Sequence, residues 1–208
     1  MDLINLSKSI LDFPNRIPLD YPSVSNLINT ATQDIFSIFN GDNTYINLSK
    51  AKSSNKYIVV ISARFDTRVG HIYVSWGREL ESNRICITDA GGFGYYPTSK
   101  NLLGKFYGEG DIFSEAEKHP EYRNVKTKNL VIYLDKEIYE QTEYLRKYWE
   151  HKEDKTYFLL GRNCMTFVDE IVRKIGLKTP IEELNDFITL PWVYLQKLID
   201  LNRNIEEK

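Results

Sequence analysis

Five short apolar segments, rich in β-branched or aromatic residues, constrain this chain more than any other feature of its sequence. Segments of this length and composition predict buried strands. A polar loop joins the second segment to the third, which indicates an antiparallel hairpin. The segments lie between longer stretches of helical period, so the chain is expected to be α+β, with a largely antiparallel sheet packed against helices. They are KYIVVISA (56–63), HIYVSWG (71–77), RICITDAG (84–91), NLVIYLD (129–135) and TYFLLG (156–161).

Amphipathic patterns predict the helices. The patterns cover residues 22–40, 136–151, 164–175 and 191–201, and Pro191 suits the first turn of the last one. With 208 residues, 42% of them hydrophobic, the chain can build one sizeable core. We therefore expect one domain over 1–208, with a core at about 56–178 and the first and last helices as additions.

Composition excludes several classes of function. A net charge of −2 offers no electrostatic basis for binding nucleic acid or an anionic membrane surface. No apolar run is long enough to span a membrane, and the N-terminus does not resemble a secretory signal. The expected protein is cytoplasmic when made, with another route of export if it acts elsewhere. The two cysteines, Cys86 and Cys164, form neither a disulfide framework nor a zinc set.

Cys164 is the first candidate functional residue, because it follows a good helix cap. Asn163 can accept a backbone N–H of the first helical turn, which places Cys164 at the first helical position, and Gly176 ends the helix. Unpaired N–H groups and the helix dipole favour the thiolate there, and the thiolate is the nucleophile. The same N–H groups could stabilise an oxyanion. The alternative is a small buried hydrophobic residue.

His71 is the candidate base, because it opens an apolar strand directly after Gly70. If Trp76 pairs with Arg84, antiparallel register places His71 opposite Asp89, whose carboxylate would orient the imidazole. The alternatives are a hydrogen-bonded residue at a strand end for His71 and a turn residue for Asp89. His119 and His151 lie in charged surroundings and are expected at the surface.

Three motifs together resemble the circularly permuted branch of the NlpC-type, papain-like cysteine hydrolases. They are GHIYVSWG, TDAGGFGYYP and LLGRNCMTFVDEI, with the histidine strand before the cysteine helix. Lecithin–retinol acyltransferase-like proteins share this order, and some bacterial members with similar motifs are type VI secretion toxins. The resemblance covers about residues 56–178. It implies Cys164 as nucleophile, His71 as base and a third polar residue that varies between such families.

The resemblance implies a cysteine amidase or peptidase that forms a thioester and needs neither metal nor organic cofactor. Its expected substrate is a peptide or isopeptide bond of the bacterial cell wall, which would make the chain an antibacterial effector with a secretion-machine or immunity-protein partner. The alternatives are an acyltransferase, a thiol hydrolase directed at host proteins, and a non-catalytic binding module on the same fold.

Aromatic residues and one long loop leave further alternatives open. Tyr95, Tyr96 and Pro97 either line a cleft wall or belong to the core and a turn, and the second is expected for Tyr96. Tyr73 and Trp76 are expected to pack rather than to bind substrate. Residues 108–125 are interpreted as a lid or an exposed loop.

Overall fold

The computed structural model describes residues 41–50, 56–65, 70–80, 84–87, 92–119, 125–180 and 190–205. They belong to one compact unit that spans 31–208. The predicted helix at 22–40 lies outside the described residues, and the number of domains stays a prediction. Eight strands are described: β1 (Asp42–Asn47), β2 (Tyr57–Arg64), β3 (His71–Leu80), β4 (Arg84–Ile87), β5 (Phe93–Pro97), β6 (Tyr107–Ser114), β7 (Thr127–Leu134) and β8 (Thr156–Phe158).

The strands form one mixed sheet in the order β1-β7-β2-β3-β5-β6-β8, with β4 beside β3. Only β1 and β7 pair in parallel among the described strands, and every other pairing is antiparallel. The α+β class and the largely antiparallel sheet are therefore confirmed.

Five helices are described: α1 (Leu102–Phe106), α2 (Glu115–Lys118), α3 (Lys136–His151), α4 (Cys164–Ile175) and α5 (Pro191–Asn202). The three longer helices share one hydrophobic core with the sheet. In α4, seven of twelve residues are buried, and Gly176 ends the helix with a φ of 90° in the left-handed region. The helical period in the sequence predicted these three helices because their apolar residues recur on one face.

Strand β2 is buried on both of its faces, which explains why its sequence is a continuous apolar run instead of an alternating one. Val59, Ile61 and Ala63 belong to the core that the helices share, whereas Ile58 and Val60 belong to a second cluster with Val131. This central position fixes β3 beside it, and β3 carries His71 at its first residue.

Two predictions about loops are wrong. The β3–β4 hairpin pairs Leu80 with Arg84, not Trp76 with Arg84, because β3 continues for three residues beyond the predicted end at Gly77. The segment expected to be a lid or an exposed loop contains β6 and α2, and β6 pairs with β5 on one side and β8 on the other. Glycines at 108 and 110 disguised this strand, since glycine is uncommon inside strands.

A candidate active site with a thiol, an imidazole and a buried carboxylate

The cap of helix α4 positions Cys164. Asn163 Oδ1 accepts hydrogen bonds from the backbone N–H groups of Met165 at 2.8 Å and Thr166 at 3.4 Å, and Thr166 Oγ1 accepts from Asn163 N at 3.2 Å. Asn163 Nδ2 donates to the carbonyl of Leu159 at 2.7 Å, which ties the cap to the strand before it. The predicted cap is thus confirmed, and it places Cys164 at the first helical position.

The folded chain brings Cys164 and His71 together. Each side chain lies close enough to shift the pKa of the other, and the backbone N–H groups of Ile72 and Met165 also act on the pKa of the thiol. Both residues are largely buried, with 7% of Cys164 and 8% of His71 exposed. The thiol therefore meets the imidazole where β3 begins, although 93 residues separate the two in the chain (164 − 71).

Glu115, at the first position of α2, contacts the Nε2 atom of the imidazole. Its Oε1 lies 3.2 Å from His71 Nε2, as an ion-pair contact instead of a well-aligned hydrogen bond. Tyr96 OH donates to the same Oε1 at 2.7 Å, and Arg64 Nη1 lies 2.8 Å from Oε2. We call Arg64, His71, Tyr96 and Glu115 the polar cluster. At least 92% of each member is buried.

Tyr96 holds the imidazole by contact as well as through Glu115. The two ring centroids lie 4.0 Å apart with an interplanar angle of 26°, which is a stacked arrangement. Arg64 Nη2 donates to Tyr96 OH at 3.1 Å, so the hydroxyl links the guanidinium to the carboxylate. Tyr96 is buried in the core as expected, but it lies in strand β5 instead of a turn, and its hydroxyl also contacts the rest of the polar cluster; Tyr95 and Trp76 belong to the core.

Gly94 makes room for this arrangement. A Cβ atom on Gly94 would lie 2.7 Å from Glu115 Oε1 and closer still to His71 Nε2, well inside van der Waals contact. Residue 94 must therefore lack a side chain for the imidazole and the carboxylate to meet over β5.

The electrostatics of the site favour a thiolate–imidazolium pair. Burial alone would lower the pKa of His71, but the Glu115 carboxylate and Cys164 raise it to about 9. Burial alone would raise the pKa of the Cys164 thiol, but His71 and the two backbone N–H groups bring it below its ordinary value. Burial likewise opposes the charge on Glu115, and His71, Arg64 and Tyr96 overcome it to lower the pKa of that carboxyl.

Asp89, the orienting residue suggested by the sequence, lies outside the described residues. The register that placed it opposite His71 is wrong, because the observed pairing of Leu80 with Arg84 shifts the hairpin by four residues. The carboxylate that contacts His71 in the described part of the chain is Glu115.

Sequence reasoning missed Glu115 and Arg64. Arg64 had a usable signal, because it is a charged residue that closes an otherwise apolar strand. Glu115 follows a strand that two glycines disguise, so its position next to the imidazole depends on a strand pairing that the sequence did not reveal. Of the remaining histidines, His151 is exposed as expected, whereas His119 is only half-buried and packs on the Tyr96 ring at 5.4 Å.

Comparison with protein-family models, with curated proteins and with solved structures finds no match to this chain. None of the helices in the described segments is long and apolar enough to cross a membrane.

Proposed function

We propose that the chain is a cysteine amidase or peptidase with a permuted NlpC-type, papain-like fold. The observation that supports this most directly is a buried thiol at a capped helix terminus, in electrostatic contact with an imidazole that a buried carboxylate also contacts. Nucleophile, base and orienting residue in this order form the general constellation of nucleophilic catalysis.

In the proposed mechanism the Cys164 thiolate attacks the carbonyl carbon of the scissile amide. Glu115 faces Nε2 of His71, which leaves Nδ1 for the thiol. The imidazolium then donates a proton to the leaving amine, and the thioester remains on Cys164. A water molecule, deprotonated by the now neutral His71, hydrolyses the thioester and restores the thiol.

The polar cluster stabilises the charges that form on His71 during the proton transfers. Glu115 stabilises the imidazolium that must donate the proton, and Arg64 balances the carboxylate so that its charge can remain buried. The backbone N–H of Ile72, which helps to lower the pKa of the thiol, is the proposed donor to the oxyanion, whereas the N–H of Met165 already donates to Asn163 Oδ1 at 2.8 Å. A direct role of the Asn163 side chain toward the oxyanion stays a prediction, since its amide nitrogen already donates to Leu159.

The proposed substrate is a peptide or isopeptide bond of the bacterial cell wall. A secretion machine would deliver the protein to that wall. This part depends on the resemblance of the three motifs alone. The test is incubation of the purified protein with peptidoglycan, followed by separation of the muropeptides. We expect Cys164→Ala and His71→Ala to lose about 1,000-fold or more of the activity. Lys197→Ala is the control, because that side chain is exposed on the last helix, outside the polar cluster, and should leave activity unchanged.

Thiol reactivity separates an enzyme from a binding module on the same fold. Iodoacetamide alkylation of Cys164, followed site by site with mass spectrometry at pH 6, should be much faster than in the unfolded chain, whose thiol pKa is about 8.5. Equal rates in the folded and unfolded chain would favour the binding module. If the muropeptides stay intact although Cys164 is reactive, the chain is a thiol hydrolase or acyltransferase with another substrate. The mass of a trapped acyl-enzyme would identify the acyl group of that substrate.

A further inference from the structure

A cleft of ≈ 700 Å³ lies outside the polar cluster, between the end of helix α3 and the loop that leads to Cys164. This volume is typical of sites for small ligands. Its walls include two tyrosines one helical turn apart, Tyr144 and Tyr148, which expose 72% and 54% of their surface. Lys147, His151, Lys152 and Arg162 also line it.

Lys152 is the unusual residue of this cleft. Its Nζ is shielded from solvent, and no atom of the described residues accepts a hydrogen bond from it. It lies instead over the ring of Trp149, 2.8 Å from the centroid, and 5.1 Å from the centroid of Tyr95. A cation–π contact compensates part of the lost hydration, but a shielded amine without an acceptor remains costly.

The charges around the cleft favour an anionic ligand. Arg162 is already paired with Asp154, with its Nη2 also donating to the Asp154 carbonyl at 3.0 Å. The charged side chains that then remain along the cleft are two lysines, Lys147 and Lys152, and one acid, Glu153. A carboxylate oxygen would give Nζ the acceptor it lacks, and the four rotatable bonds of lysine let Nζ turn from the ring face toward the cleft.

We propose that this cleft binds a carboxylate-bearing ligand, with the Lys152 ammonium group as its counter-ion and the rings of Tyr144 and Tyr148 beside it. Tyrosine supplies rigid contact area at a low cost in entropy, so the two rings suit the non-ionic part of such a ligand. The segment from Lys152 to Arg162, which contains β8, ends one residue before Asn163, the cap of the Cys164 helix. If the proposed function holds, the ligand is the free carboxyl end of the peptide substrate, and this second step rests on that function.

Proton uptake is the signature of this site. Burial and the Arg162 cation lower the pKa of Lys152 to about 7, against the opposing effects of Glu170 and Asp154, while Lys155 lowers it further. A bound carboxylate favours the ammonium form and raises that pKa again. Binding should therefore take up more protons at pH 8 than at pH 6, because more of the amine is neutral at the higher pH.

The experiment is calorimetric titration of the full-length Cys164→Ala protein in buffers of different ionisation enthalpy. The probes are N-acetyl-alanyl-alanine, its C-terminal carboxamide and inorganic phosphate. We expect the acid to bind at least tenfold more tightly than the carboxamide and to take up protons as stated. Equal affinity for acid and carboxamide would overturn the proposal, and tighter binding of phosphate would overturn its carboxylate assignment.

Matched variants test whether Lys152 is the residue responsible for the binding of the acid and for the proton uptake. Lys152→Met should weaken binding of the acid at least tenfold and abolish proton uptake, whereas Lys152→Arg should keep the preference for the acid without proton uptake. Lys147→Met and His151→Gln should retain the uptake, because neither removes the shielded amine. Unchanged uptake in Lys152→Arg would refute the role of this lysine even if Lys152→Met failed to fold. The test protein lacks the thiol, so its binding result does not depend on cleavage activity. If the wild type cleaves its substrate but the cleft binds no carboxylate, this inference is wrong and the proposed function is unaffected.

Discussion

Replacing Glu115 with glutamine tests the charge arrangement of the site most directly. The substitution keeps the size of the side chain but removes the carboxylate whose Oε1 lies 3.2 Å from His71 Nε2. In the wild type, burial works against the imidazolium, and Glu115 is the strongest of the groups that favour it and raise the pKa to about 9. Without that charge, burial should prevail and the pKa of His71 should fall.

The size of the effect follows from the separation of the two groups. An opposite charge this close shifts a pKa by about 1–3 units, and each unit is about 1.4 kcal/mol, or tenfold in the equilibrium. We therefore expect the upper inflection to move from about 9 to about 8 or below. Because His71 is still protonated at acid pH in the variant, the pH at which Cys164 becomes reactive should stay close to its wild-type value.

The assay is the rate of iodoacetamide alkylation at Cys164 between pH 4 and pH 10, with the same pH series for hydrolysis once a substrate is known. In Glu115→Gln the upper inflection, where His71 loses its proton, should move to lower pH, whereas the lower inflection should stay in place. Asp89→Asn is the matched control, since the sequence alone suggested Asp89 for the same role. A Glu115→Gln profile that coincides with the wild type, or a shift in Asp89→Asn instead, would refute the role given to Glu115.

A folding control is needed, because this substitution leaves Arg64 buried without its counter-ion. Breaking a buried pair costs about 3–5 kcal/mol, so unfolding in urea must show that the variant is folded under the assay conditions. Tyr96→Phe is a milder second variant, since it removes the hydroxyl that donates to Glu115 at 2.7 Å and accepts from Arg64 at 3.1 Å but keeps the stacked ring and the Glu115 charge. It should shift the upper inflection in the same direction by a smaller amount.

Three further predictions follow from the same geometry. Gly94→Ala should slow alkylation of Cys164 at pH 6 at least tenfold and cost about 1–3 kcal/mol of stability, because its Cβ would displace the imidazole. Gly176→Ala is its control: the new side chain is strained at a φ of 90° but meets no atom within 4 Å, so only stability should fall. Equal effects of the two variants on the alkylation rate would contradict this account. Asn163→Ala should cost about 1 kcal/mol in urea unfolding, through the lost cap, and slow alkylation as the helix terminus frays; an unchanged midpoint would show that the cap is dispensable. The lowered pKa of the Glu115 carboxyl contributes stability that is present above its ordinary pKa of 4.5 and is lost as the pH falls through its pKa in the folded chain. The difference in free energy of unfolding between wild type and Glu115→Gln should therefore shrink from pH 7 to pH 3. A difference independent of pH would argue against a charged Glu115.

Local chemistry made the thiol and its helix predictable. An amide side chain before a run of helical period indicates a cap, and the run from Phe167 to Ile175 can bury its apolar face only as a helix. His71 was recognisable for a similar reason, because a histidine that opens an apolar strand is held at a fixed place. These features depend on neighbours within about one helical turn or one strand, where sequence patterns carry most of their information.

The partner of the imidazole was not predictable in the same way. A hairpin register depends on where each strand ends, and an error of three residues at the end of β3 misplaced the whole pairing. Strand β6 was hidden because its glycines weaken the alternation, and with it the position of Glu115 was lost. Sequence reasoning therefore selected a carboxylate near in the chain, whereas the folded chain uses one that lies 44 residues from His71 (115 − 71).

The sequence by itself determined the α+β class, the strands and helices with strong periodicity, and the capped terminus that carries Cys164, because each depends on short-range geometry of the backbone. Only the tertiary structure decided that Glu115, Tyr96 and Arg64 surround His71, and that Lys152 lies shielded beside an open cleft. Those arrangements depend on contacts between segments far apart in the chain, and a buried charge is tolerated only where such contacts supply its counter-charge.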